Sequence, residues 1–134
     1  MEPWHKLVTP RKEVREGRSF NPDEFAIHLE QIVNGTAPED YKNPEPFFAR
    51  TCFTSALKEH CAMTLRRLAG DTVNTAPVMT LITQFGGGKT HTLATLYHLA
   101  NSGDAARAFA GVQDFCNWTG LSGILLTAPL KFAR

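Results

Sequence analysis

The stretch Gln84-Phe85-Gly86-Gly87-Gly88-Lys89-Thr90-His91 constrains this chain more than any other. It stands between an apolar run, Val78-Met79-Thr80-Leu81-Ile82-Thr83, and a helix-like run, Thr92-Leu93-Ala94-Thr95-Leu96-Tyr97-His98-Leu99. Strand, glycine turn, Lys-Thr and helix, in that order, is the layout of a phosphate-binding loop. Each part has a physical reason. Glycines let the backbone curl until successive N–H groups point into one concavity. The helix N-terminus adds partial positive charge and unpaired donors. A lysine at position 89 can neutralise charge on the outer phosphates, and a threonine at position 90 can offer its hydroxyl to Mg²⁺.

On this reading Gln84, Phe85, Gly86, Gly87, Gly88, Lys89, Thr90 and His91 line the nucleotide site. Lys89 is the catalytic cation and Thr90 the residue on the metal side. The match departs from G-x-x-x-x-G-K-[ST] at the first glycine, where Thr83 stands. The glycines cluster instead against the lysine, which leaves enough φ freedom for the loop. The competing reading is a flexible glycine turn that precedes Lys-Thr by chance. It requires the flanking apolar and helical runs to be chance as well.

Composition narrows the class. The 134 residues are 43% hydrophobic and 20% charged, with a formal net charge of +1. These values suit one soluble domain or part of one, without a global field for nucleic acid. Arg66-Arg67, a local basic pair, reads best as a charged helix end. The three cysteines, Cys52, Cys61 and Cys116, contain no C-x-x-C pair, and the five histidines form no metal-ligand spacing. No metal cluster is expected, and Cys61 reads as a core thiol. The polar start and the lack of any long apolar run predict a cytoplasmic chain with no signal peptide and no membrane span.

Punctuation divides the chain into three. Residues 1–20, with Pro3, Pro10 and Gly17, read as an extended arm. Residues 21–76 read as helical. A helix is predicted from Asn21-Pro22-Asp23-Glu24, carrying the stripe Phe25, Leu29, Ile32 and Val33. A short helix follows Asn43-Pro44, and a longer one starts near Thr54, with Leu57, Cys61, Leu65 and Leu68 on one face and Gly70 as its stop. Residues 77–134 read as an incomplete nucleotide-binding core. In it, 77–83 is a buried parallel strand, a helix spans about 89–100, and a second carries Ala105, Phe109, Val112 and Cys116. Leu121 to Leu126 reads as the start of another strand, so the class predicted is α/β with an incomplete sheet.

A hydrolase needs an acidic residue at a strand end to hold Mg²⁺ through water and orient the attacking water. After Thr90 the only acidic residues are Asp104 and Asp114, both in helical context. One firm strand cannot bury both faces of a sheet, so the chain is expected to be the front end of a longer protein and marginal by itself.

A family resemblance rests on Pro3-Trp4 with Val8 and Pro10, Phe25-Ala26, Tyr41, Phe47-Phe48, Arg50-Thr51 and Phe85 through Leu93, in order. This pattern resembles the N-terminus of domain of unknown function family 499, large prokaryotic AAA+-like P-loop ATPases. The resemblance implies ATP and Mg²⁺ as ligands, and a link to DNA or a DNA-modifying partner in phage-defence settings. It also leaves room for an oligomer. It places the nucleotide site on Gly86, Gly87, Gly88, Lys89 and Thr90. Three other readings stay open: a truncated phosphate- or nucleotide-binding module without turnover, a small P-loop kinase, and a non-enzymatic interaction protein.

Overall fold

The computed structural model describes residues 3–10, 12–17, 19, 26–84 and 86–119. Two short helices, α1 (Trp4–Leu7) and α2 (Lys12–Arg15), precede the packed body. That body is built from α3 (Leu29–Val33), α4 (Glu39–Lys42), α5 (Pro44–Ala49), α6 (Ser55–Leu68), α7 (Lys89–Ser102), a 3-10 helix over Gly103–Ala108, and α8 (Val112–Thr119). The N-terminal start expected at Asn21 to Glu24 lies outside the described residues. Within them, residues 26–28 are not helical, and α3 begins after His28.

The stops and starts follow side-chain chemistry. Pro44 takes the first position of α5, where its missing N–H costs nothing. Thr54 caps α6, its hydroxyl accepting from Leu57 N–H at 3.3 Å. Arg66 and Arg67 fall in the last turn of α6, where they complement the helix dipole. Helix α7 is the hub and touches α3, α5, α6 and the 3-10 helix. Leu57, Cys61, Ala62 and Leu65 face the core from α6, and Ala94, Thr95, His98 and Leu99 face it from α7. Leu68 and Val33, both placed on apolar stripes by periodicity, are exposed. They stand in the last turn of their helices, past the reach of the core.

Aromatic rings fill the space between helices. Phe48 stacks on Phe109 at 5.5 Å and on Phe53 at 6.1 Å, and Phe53 stacks on Phe115 at 5.5 Å. The predicted core thiol is confirmed: Cys61 is fully buried, and burial pushes its pKa up to about 12.

The α/β expectation is overturned. No strand occurs among the described residues, and the fold there is helical. Residues 77–83 form neither helix nor strand; Val78 and Ile82 are 78% and 89% exposed, while Met79 and Leu81 are half-buried. A strand is defined by its neighbours, and an apolar run with no ladder partner is not one. The second expected strand, Leu121 to Leu126, lies outside the described residues. No described helix is long and apolar enough to cross a membrane.

Candidate functional site

The glycine turn joins residues 77–83 to α7. Gly86 and Gly88 both adopt positive φ, +79° and +75°, a region that side chains with a Cβ rarely enter. Gly87 is required for a different reason. A Cβ there would meet Thr83 Oγ1 at 2.4 Å and Thr83 Cβ at 2.5 Å. The turn is closed by Gly87 N–H donating to the Gln84 carbonyl at 3.1 Å. Gly88 is the N-cap of α7, so no side chain caps the first-turn N–H groups of that helix.

Lys89 folds back over the turn. Its Nζ donates to Thr83 O at 3.1 Å, to Thr83 Oγ1 at 2.8 Å and to Gln84 O at 3.1 Å. Thr83, Gln84, Gly86, Gly87, Gly88 and Lys89 are thus brought together as one exposed surface loop. Phe85 lies outside the described residues. Thr90 is half-buried in the first turn of α7.

His91 sits on the inner side of the same turn. Its ring lies 4.8 Å from Phe47 and meets Tyr41 edge-on at 6.2 Å. Thr51 donates its single hydroxyl proton to Phe47 O at 2.8 Å, so at 3.1 Å it accepts from His91 Nε2. The neutral ring therefore carries its proton on Nε2. One coil and a further turn along α7, His98 Nε2 donates to Tyr41 O at 2.8 Å and its ring lies 4.9 Å from Phe47. The two histidines clasp Phe47 and fasten α7 to α4 and α5.

Sequence reasoning missed this seam. One signal was present: His98 shares a face with Ala94, Thr95 and Leu99, and a polar group on a buried face must find a partner. Nothing local pointed to Tyr41 as that partner.

Burial lowers both histidine pKa values below 6.5, and for His98 the hydrogen bond to Tyr41 opposes that shift in part. The unfolded chain then binds protons at a pH where the folded chain does not. This stability is present above the unfolded value of 6.5 and is lost as pH falls through the folded pKa. Urea midpoints are expected to drop between pH 7.5 and 5.5, and His98→Gln should flatten the dependence. Equal midpoints at both pH values would contradict it.

A cleft of about 400 Å³ opens beside the turn, between the first turns of α6 and α7 and residues 80–83. Leu57, His60, Leu81 and Gly88 are among its walls. Neither carboxylate after Thr90 lines this cleft. Asp104 is beyond the far end of α7, about 21 Å of helix away, and pairs with Arg107 at 3.0 Å. Asp114 lies in the first turn of α8. No group of three His, Cys, Asp or Glu side chains suited to a metal ion occurs among the described residues.

The residues at the turn suit a phosphate group better than a metal ion held by protein ligands. The turn admits no Cβ at Gly87, its helix carries no side-chain cap, and an ammonium group leans over it. No curated protein and no solved structure matches this chain. A family model, DUF499 N-terminal domain, matches residues 5–116, which is most of its length. The chain therefore belongs to the DUF499 family and carries that family's N-terminal domain.

Proposed function

We propose that the turn from Thr83 to Thr90 binds the phosphates of a nucleotide, with ATP as the ligand and Mg²⁺ as its counter-ion. The observation that carries this reading is the convergence at one surface turn of two positive-φ glycines, an uncapped helix start and Lys89 Nζ. Backbone N–H groups at such a turn favour an anion, and the ammonium adds a full charge. Mg²⁺, when bound, neutralises the outer phosphate oxygens, and Thr90 is the residue of this turn that would face it. The neighbouring cleft falls within the size range of small-molecule sites.

The reading stops at binding. Water activation needs a carboxylate at the turn, and neither Asp104 nor Asp114 lines the cleft beside it. This favours the non-hydrolysing module over turnover by these residues alone. A cytoplasmic setting goes with the proposal, since three cysteines outside any disulfide suit a reducing, ATP-bearing compartment.

Calorimetric titration of the chain with ATP, inorganic tripolyphosphate and adenosine tests the proposal. ATP and tripolyphosphate are expected to bind within about tenfold of each other, a span of ~1.4 kcal/mol, and adenosine far more weakly. Binding of adenosine as tight as ATP, or no binding of either polyphosphate, would overturn it.

A further inference from the structure

Thr83 stands where the loop pattern has its first glycine, and its side chain has a defined place. The Thr83 hydroxyl donates to Gln84 O at 3.2 Å, which leaves its lone pairs to accept from Lys89 Nζ at 2.8 Å. An ammonium group has three protons to donate. Three acceptors face Lys89 Nζ: Thr83 O, Thr83 Oγ1 and Gln84 O. A phosphate oxygen can take a proton from Lys89 only if one of these is given up. Two are backbone carbonyls fixed by the turn, since Gln84 O also accepts from Gly87 N–H. The hydroxyl is the shortest of the three contacts and the only one made by a side chain. It is also the one that rotation about χ1 can release.

Resting on the phosphate reading above, we propose that Thr83 is a latch on Lys89: its hydroxyl holds the ammonium against the turn and competes with phosphate for it. A charged phosphate oxygen outcompetes a neutral hydroxyl, so the ligand opens the latch at a cost in affinity. A glycine at position 83 would carry no such cost. Thr83 is a positioning residue here, acting on the ligand through Lys89. Gly87 is part of the same device, because a side chain there would occupy the place of the Thr83 hydroxyl.

Two measurements on the full chain test this, each with Thr83→Ala, Thr83→Val and Thr83→Ser. Thr83 and Lys89 are both exposed, so the variants should keep the wild-type melting temperature. The first measurement is amine acylation read by mass spectrometry, with Lys89 labelling normalised to Lys6. Lys89 should react faster in Thr83→Ala and Thr83→Val than in wild type, and at the wild-type rate in Thr83→Ser. The second is tripolyphosphate titration. Thr83→Ala and Thr83→Val should bind about two- to tenfold tighter, the worth of one competing hydrogen bond, and Thr83→Ser should match wild type. Unchanged labelling in Thr83→Ala overturns the latch even where polyphosphate binds. Faster labelling with equal or weaker polyphosphate binding overturns the competition. Faster labelling with no polyphosphate binding by any variant defeats the phosphate reading itself and leaves Thr83 as a contact that only closes the turn.

Discussion

Phe47→Ala is expected to destabilise the chain by about 3–5 kcal/mol, the usual cost of emptying a buried aromatic position. Phe47 is 2% exposed, and its ring touches Tyr41 at 5.8 Å, Phe48 at 5.4 Å, His91 at 4.8 Å and His98 at 4.9 Å. Those partners come from α4, α5 and α7, so the cavity would open at the junction of three helices. The stack Phe109–Phe48–Phe53–Phe115 continues from the other side of Phe48 and limits how far the site can collapse. Small domains hold roughly 5–15 kcal/mol in all, so the loss is a large share of the total. Phe47→Leu should cost far less, about 1–1.5 kcal/mol, because most of the volume remains. Urea unfolding followed by circular dichroism measures both. A loss below about 1 kcal/mol for Phe47→Ala would mean that the α4–α5–α7 junction is not consolidated around this ring.

The same junction explains what could be read from the sequence and what could not. Helix punctuation is local chemistry. Pro44 at a first helical position, Thr54 as a cap and Gly70 as a stop each act within a few residues, and each falls where its chemistry predicts. The glycine turn was legible for the same reason, since positive φ at Gly86 and Gly88 is a property of the residue type. Residues 77–83 were not legible. Their apolar pattern fits a buried strand, but whether such a run is a strand depends on a partner that the run itself does not encode. Here Val78 and Ile82 face solvent, while Met79 and Leu81 are half-buried without a strand partner. The Tyr41–His98 and Thr51–His91 contacts span 57 and 40 residues, beyond any periodicity. Within the candidate site, residue types gave the lysine and the glycines. The role of Thr83 came only from geometry, through an i,i+6 contact that no helical or strand repeat would suggest.

Lys89→Ala is expected to weaken binding of ATP and tripolyphosphate by about a hundredfold or more, since a charge-assisted contact to phosphate is worth roughly twice a neutral one and acts here with a full charge. Lys89 Nζ is the cation that folds over the turn, and it leads a 14-residue helix with no side-chain cap. Removing it leaves the backbone donors of the turn, which bind an anion weakly by themselves. It also frees Thr83 and Gln84 from their shared donor. Lys89→Met controls for the aliphatic stem, because it keeps the stem and loses only the charge and its hydrogen bonds. Both variants should melt with the wild type, since Lys89 is exposed and contributes nothing to the aromatic core. Thr90→Ala should act differently: it should reduce the Mg²⁺-dependent part of ATP binding and leave metal-free tripolyphosphate nearly unchanged. The wild-type chain should release no phosphate from ATP. Release that Lys89→Ala abolishes would mean that a carboxylate reaches the turn after all, with Asp114 the first to substitute. Equal binding of ATP by wild type, Lys89→Ala and Lys89→Met would remove the phosphate reading of this turn, because no electrostatic account of the site survives the loss of the cation folded over it without a change in affinity.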